Sequence, residues 1–348
     1  MADKQHLYLV DGSAYIFRAY HRLPPLTNPA GTPVGAVYGY TTMLWKLAED
    51  LNKADGPTHL AVILDKGSTS FRNALYDQYK ANRPPPPEDL VPQFPLIRDA
   101  TRAFSLPCIE EDDLEADDLI ASYAREATRR GWDVTIVSSD KDLMQLVGKC
   151  ASQEDGSGGG CIDMLDTMKN QRIDVPEVIE KFGVPPSLVG DVLALMGDSV
   201  DNVPGIDKCG PKTAAKWLAQ YDSLDGVMAN AGEVKGKIGD NLRAALDRLP
   251  LNRDLVTIKT DVPLDQGPRE LKLRGRDVDA LRELYTRYGF TAALRELEGG
   301  KPDPATRPAQ ASLAAAAQAS AEAEAAPDPA LDELLQPDVL SLMAAGEL

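Results

Sequence analysis

The sequence predicts an α/β protein in which a parallel-sheet core is followed by a mostly helical lobe. Three observations carry this. Short apolar runs rich in branched side chains recur at intervals over residues 6–170, helix-like segments separate them, and the character changes to mostly helical from about 171 to 297. The first run, His6-Leu7-Tyr8-Leu9-Val10, ends at Asp11 and reads as a buried strand. Ala36 to Leu51 has helical periodicity, and Leu60-Ala61-Val62-Ile63-Leu64 is the next strand, ending at Asp65. The spacing predicts a helix over Phe71 to Arg83, stopped by Pro84-Pro85-Pro86-Pro87, and further helices over Pro92 to Phe104 and Ala116 to Arg130. Gly131 turns the chain into the strand Val134-Thr135-Ile136-Val137. A flexible tip at Gly156 to Gly160 precedes the short apolar segment Cys161 to Leu165.

In the second lobe, helices are expected at Pro176–Phe182, Leu188–Met196, Pro211–Gln220, Lys237–Leu246 and Asp277–Tyr288. Beyond Gly299-Gly300 the chain is rich in Ala and Pro and has no aromatic residue. This composition predicts a disordered tail or linker, with Leu331 to Leu342 as a candidate docking helix. The expected organisation is therefore an α/β core over 1–170, a helical lobe over 171–300 and a tail over 301–348.

Composition bounds the function. The 348 residues carry a formal net charge of −17. Residues 301–348 hold two basic and eight acidic residues, net −6, which leaves −11 for the rest. A local basic track remains compatible with that total. The four cysteines have no CxxC spacing and no nearby histidines, so zinc is disfavoured. Cys150 and Cys161 flank a loop and could approach each other, but free thiols are the expectation. No apolar run reaches membrane-spanning length and the first residues do not form a signal peptide, so a cytoplasmic protein is expected. His6, His21 and His59 lack partners at ligand spacing, and no Ser-His-Asp or reactive-cysteine pattern stands out.

The functional signal is nine carboxylates at the ends of apolar runs: Asp11, Asp65, Glu115, Asp117, Asp118, Asp140, Asp142, Asp198 and Asp201. In an open α/β sheet the carboxyl ends of the strands line one crevice. So many like charges there need counter-charge, which hard divalent cations supply. Mg²⁺ or Mn²⁺ in pairs roughly 4 Å apart clamps both oxygens of a phosphoryl displacement. Each piece has a plainer alternative. Acids at 115–118 favour a helix N-terminus, although 115 and 118 on neighbouring faces with 117 turned away exceed what capping needs. Asp140 and Asp142 in an extended segment project to one side, or else form a solvated turn. Gly197-Asp198-Ser199-Val200-Asp201 closes an apolar helix, where the dipole disfavours acids.

Val203 to Ala214 superficially suggests a phosphate-binding loop, but Pro211 separates Gly210 from Lys212 and a helix precedes it. A helix-hairpin-helix fits better, with Gly205, Gly210, Lys212 and Thr213 placed to grip a duplex phosphate. A plain helix-turn-helix connection is the alternative. Arg72, Tyr76, Lys80 and Arg83, with Tyr79 beside them, form a stripe at helical spacing that suits a single strand, against the alternative of a solvated basic face.

These residues match a known family. Leu9-Val10-Asp11-Gly12-Ser13, Arg18-Ala19-Tyr20, Pro24-Pro25-Leu26-Thr27-Asn28, Phe71-Arg72, Tyr79-Lys80-Ala81-Asn82-Arg83-Pro84, Glu115-Ala116-Asp117-Asp118, Ser139-Asp140-Lys141-Asp142, Met196-Gly197-Asp198 through Asn202, and Pro204-Gly205 stand in family order. The chain resembles the 5′ nuclease domain of bacterial DNA polymerase I, related to phage 5′ nucleases and flap endonucleases.

The resemblance implies a PIN-like parallel-sheet core with a helical arch and a helix-hairpin-helix lobe. It implies that Asp11, Asp65, Glu115 and Asp117 mainly serve one metal, that Asp140, Asp142, Asp198 and Asp201 surround a second, and that Asp118 supports them. It further implies that Arg18, Tyr79, Lys80 and Arg83 position the 5′ strand, with Lys80 and Arg83 stabilising charge on the phosphate. Cleavage of 5′ flaps, nicked or junction DNA in primer removal and repair would follow, by a monomer. RNA primers are a further candidate substrate, a polymerase module in cis or trans a candidate partner, and K⁺ a candidate ion at the hairpin. Lys208 departs from the second hairpin glycine of many relatives. A related ribonuclease or a catalytically silent junction-binding module are the alternative readings.

Overall fold

The computed structural model describes residues 5–51, 56–148 and 159–299. The expectations for the tail and for Leu331 to Leu342 fall outside these residues, as do Cys150 and most of the 156–160 tip.

A six-stranded sheet carries the core in the order β3-β2-β1-β4-β5-β6. Its strands are β1 (His6–Asp11), β2 (His59–Ile63), β3 (Cys108–Ile109), β4 (Asp133–Val137), β5 (Ile162–Asp166) and β6 (Gln171–Ile173). All pairings are parallel except β5 with β6. The order runs outward in both directions from the β1–β4 pair, so a topological switch point lies between them, where crevices open in such sheets. β6 falls beyond residue 170 yet completes the sheet, so the core extends past the boundary expected from the sequence.

Alternation along β1 explains why the sheet is covered on both faces. Leu7 and Leu9 enter one core with Ile120, Leu193 and Trp217, while Tyr8 and Val10 enter the other with Tyr40, Ile97 and Leu284. Helices α1 (Gly12–Arg22), α2 (Gly35–Leu51) and α4 (Gln93–Ala103) pack in the second core, and α5 (Ala116–Arg129) in the first. α12 (Val278–Tyr288) returns to pack on α4 in the second core, so the two lobes interleave. The remaining helices of the second lobe are α6 (Val175–Phe182), α7 (Val189–Met196), α8 (Pro211–Tyr221), α9 (Leu224–Ala229), α10 (Gly236–Ala245), α11 (Leu249–Val256) and α13 (Thr291–Leu297). The five expected second-lobe helices are all present, each within two residues of its expected limits.

One expected helix is not. Phe71–Leu75 forms a single short helix, α3, after which the chain runs through turns to Gln93. Tyr76 is extended (φ −147°, ψ 108°) and Lys80 is left-handed (φ 55°), so the stripe Arg72, Tyr76, Lys80, Arg83 does not exist as one helical face. Cys161 is disulfide-bonded, against the expectation of free thiols, while Cys108 and Cys209 are free. His6 and His59 serve the fold through hydrogen bonds to Thr135 and Thr58. Among the described residues no helix is long and apolar enough to cross a membrane.

Candidate active site and metal centre

Asp11 ends β1 and caps α1, its Oδ1 accepting from Ala14 N–H at 2.9 Å. Its Oδ2 accepts from Ser138 Oγ at 2.8 Å, and that hydroxyl in turn accepts from Asp140 N–H at 3.0 Å. Ser138 therefore ties the end of β1 to the acid loop after β4. Asp65 follows β2, donating its N–H to Ser13 Oγ and accepting from Ala116 N–H at the start of α5. The helix N-terminus thus delivers Glu115 and Asp117 to the same place, with a dipole that favours negative charge.

Four acids gather there without a cation. Burial pushes the Asp11 carboxyl up to about 7, assisted by the charges of Asp140 and Asp65 against the bonds from Ala14 and Ser138. Asp117 is also raised, by burial and then by Asp140, Asp11, Asp65 and Glu115. Asp142 opens a 3₁₀ turn rather than an extended segment; its N–H donates to Asp140 Oδ1. Burial and then Asp140 push its carboxyl up to about 8, although Lys141 opposes them. Asp142 Oδ1 is buried and makes no hydrogen bond.

The other acids are compensated. Glu115 accepts from Ser70 Oγ at 2.9 Å and Tyr79 OH at 3.2 Å, and pairs with Lys80 Nζ at 3.0 Å. Its carboxyl is lowered: burial opposes ionisation, and Lys80 and Arg72 with the Lys80 and Ser70 hydrogen bonds outweigh it. Asp201 accepts from Tyr79 OH at 3.0 Å and pairs with Arg83, with Lys80 Nζ 3.9 Å away. Asp198 pairs with Lys141 at 3.0 Å and accepts from the N–H groups of Val200 and Asp201.

Three expectations need correction. Asp117 is not turned away from the acid cluster: Asp140, Asp11 and Asp65 raise its carboxyl, while Asp118 is directed to Arg72. Asp118 is fully buried, and both its oxygens are taken: Oδ1 by Arg72 and Lys259 N–H, Oδ2 by Arg72 and Glu115 N–H. It is not free to bind a metal. Arg72, 2% exposed, is spent on that pair and on the carbonyls of Leu255 and Thr257, so it cannot hold a DNA strand. Tyr79, also 2% exposed, presents its hydroxyl to Glu115 and Asp201 and offers no free ring for stacking, and Tyr76 packs with it in one apolar cluster. Sequence reasoning missed the orienting serines Ser13, Ser70 and Ser138. It also missed Lys141, which sits in plain view between two of the acids.

Among the described residues, no three acids stand as a ready-made cage around one ion. The donor set nevertheless fits a hard divalent cation. Carboxylates that raise one another's pKa and an orphaned buried oxygen at Asp142 are what such an ion relieves.

The second lobe places a hairpin beside these acids. α7 ends at Gly197 (φ 80°), Asp198 pairs with Val203 in an antiparallel bridge, and the chain turns into α8 with Gly210 as N-cap and Pro211 at the first helical position. A Cβ on Gly205 would lie 1.8 Å from Met196 O, so only glycine fits. Asn252 donates to the carbonyls of Ala194 and Pro204, and Arg248 to that of Gly205. Lys208 is left-handed (φ 65°), the conformation in which glycine is favoured. Lys208, Lys212, Thr213, Lys216 and Lys235 line a groove of about 630 Å³ beside α8. Arg18 lies half-exposed on α1.

Two family models match end to end: the 5′-3′ exonuclease N-terminal resolvase-like domain over residues 6–183 and the 5′-3′ exonuclease C-terminal SAM fold over 184–279. The chain is 34% identical to a 5′-3′ exonuclease of Aquifex aeolicus, covering 84% of this chain and 95% of that one. It is 55% identical to DNA polymerase I of Rhizobium leguminosarum over 85% of its own length, but spans only 29% of that protein. Among solved structures, the phage T5 flap endonuclease in complex with DNA and metal ions shares the fold (TM-score 0.59, 20% identity, 85% of this chain and 100% of that one). The catalytic core of Rad2 with DNA substrate does so too (TM-score 0.53, 14% identity, 82% and 88%). With an acid crevice at the switch point and a glycine-bound hairpin beside it, the chain belongs to the 5′-3′ exonuclease family.

Proposed function

We propose that this chain is a structure-specific 5′-3′ exonuclease and 5′-flap endonuclease, hydrolysing DNA phosphodiesters at single-strand/duplex junctions with two Mg²⁺ or Mn²⁺ ions. The observation that carries the reading is the gathering of Asp11, Asp65, Asp117 and Asp140, none ion-paired among the described residues, with Asp142 whose carboxyl stays raised despite Lys141, beside acids already held by lysine and arginine. Asp11, Asp65, Glu115 and Asp117 would hold one ion, and Asp140, Asp142, Asp198 and Asp201 the other. Such ions, when bound, neutralise the carboxylates, polarise the phosphoryl oxygen and activate water as nucleophile.

The chain's own groups do the rest. Lys80 and Arg83 lie where a phosphate would replace Glu115 and Asp201 as their partner, and their charge offsets the negative charge that develops on it. Tyr79 stays protonated through burial and the neighbouring acids, so its single O–H proton is shared between Glu115 and Asp201 and ties the two carboxylates together. The hairpin around Gly205 and Gly210, with Lys212 and Thr213, grips a duplex phosphate without reading bases, and Arg18 adds a contact near the 5′ strand. A K⁺ at the hairpin would be held by backbone carbonyls of the turn, where those of Pro204 and Gly205 already accept from Asn252 and Arg248. The DNA polymerase I relatives support a polymerase module as partner and primer removal, with RNA primers included, as the setting. We take the protein to act as a cytoplasmic monomer.

The test is a labelled 5′-flap duplex incubated with the full chain, with and without Mg²⁺, beside the Asp140→Ala variant. Metal-dependent cleavage at the junction that the variant loses is expected. Absence of metal-dependent cleavage by the wild type would overturn the reading.

A further inference from the structure

Three segments far apart in sequence meet at one buried guanidinium. Arg72 Nη1 and Nη2 donate to Asp118 Oδ2 and Oδ1 at 2.7 and 2.8 Å. Its Nε donates to Leu255 O at 2.9 Å and its Nη2 also to Thr257 O at 3.1 Å. Asp118 takes two further bonds, from Lys259 N–H at 2.9 Å and from Glu115 N–H at 3.3 Å. The pair therefore fastens α3, where the segment carrying Tyr79, Lys80 and Arg83 begins, to the N-terminus of α5, where Glu115 and Asp117 emerge. It also fastens both to the strap of residues 255–259.

That strap continues from α11, and α11 holds the hairpin. Asn252 on α11 binds the carbonyls of Ala194 and Pro204, and Arg248 just before it binds Gly205 O. An unbroken set of hydrogen bonds and one helix thus runs from the duplex-gripping hairpin to the acid crevice. A buried ion pair is a poor source of stability, because desolvation of both charges offsets their attraction, so stability alone gives little reason to put one here. Its fixed, bidentate geometry suits a positioning role.

We propose that the Arg72–Asp118 pair is a positioning element that couples the hairpin to Glu115 and to the Lys80 segment, so that duplex engagement sets the crevice geometry. This rests on the nuclease reading above. Arg72 and Asp118 touch neither phosphate nor metal; they act through Glu115, α3 and the 255–259 strap.

The test replaces both charges at once, Arg72→Met with Asp118→Leu, which avoids leaving either partner buried and alone. Flap-duplex affinity, single-turnover cleavage rate and amide exchange over residues 70–83 are measured on the full chain, with the last read with and without a flap duplex in the absence of divalent metal. The expected result is a folded variant that keeps its affinity and loses about 10–100-fold in rate, the range for removing a group that orients a metal-site ligand. In the wild type, duplex binding slows exchange over 70–83 as well as at the hairpin; in the variant only the hairpin is protected. Should the double variant not fold, Arg72→Lys keeps the charge while losing the fork and the carbonyl bonds, and the same rate loss without affinity loss is expected. A wild-type rate in a folded variant, or protection over 70–83 retained by it, would overturn the coupling. Failure of the wild type to cleave would instead strike the nuclease reading.

Discussion

The crevice has two halves that treat the same residue type in opposite ways. At the ends of β1 and β4, Asp11 and Asp142 are buried among other acids, and their carboxyls rise to about 7 and about 8. Toward the segment of residues 70–83, the arch half, Glu115 is largely buried too, yet Lys80, Arg72 and the Ser70 hydrogen bond hold its carboxyl below the usual range. Burial alone does not decide the charge state of an acid; the cations within reach do. The strand-end half calls for an ion from outside. The arch half already has internal cations, which a phosphate can recruit.

Breaking the strand-end half should have the largest effect. Asp140→Ala is expected to lower Mg²⁺-dependent cleavage by on the order of 10³-fold or more, since several kcal/mol of transition-state stabilisation depends on correctly held ions. Its melting temperature without metal should be unchanged or higher, because one repelling charge is gone. Near-normal cleavage would show that the uncompensated acids are incidental. Breaking the arch half comes next. Lys80→Ala should reduce single-turnover rate by roughly 10²–10³-fold with a much smaller loss of junction binding, as for removal of one charge-stabilising donor. Equal losses in both would make Lys80 a general phosphate contact.

Ser138→Ala probes what holds the strand-end acids in place. It removes the only bond between Asp11 and the acid loop that the described residues show, and a loss of about 10–100-fold in metal affinity or rate is expected. A calorimetric metal titration unchanged by the substitution would assign Asp11 orientation to the Ala14 cap alone. The smallest effect is expected at Lys208→Gly, remote from both halves. Relief of a left-handed lysine and the added freedom of the unfolded chain oppose each other, so stability should move by less than about 1 kcal/mol. A larger loss in thermal denaturation would mean that the lysine side chain itself holds the hairpin.

Much of the strand-end half was legible in the sequence, because an apolar run followed by an acid specifies both the strand and the sheet edge to which it delivers a charge. Asp11, Asp65 and Asp140 were placed that way. The choice between Asp117 and Asp118 was not legible, since a helical wheel gives relative angles and not which side meets the sheet. The partner that settles it, Arg72, is 46 residues away in the chain. The arch half misled for a different reason. The spacing of Arg72, Tyr76, Lys80 and Arg83 has meaning only if one helix continues through them, and the chain leaves the helix at Tyr76. β3, two residues long, and β6, three residues long and antiparallel, are too short to leave a periodic signal.

The central claim is that the uncompensated acids are a divalent-metal centre, and metal binding to the DNA-free protein tests it most directly. Calorimetric titration of the full chain with Mn²⁺ should show two ions bound, and Asp117→Asn should abolish or strongly weaken one of them. Wild-type protein that binds no Mn²⁺, or an Asp117→Asn titration identical to that of the wild type, would contradict the account.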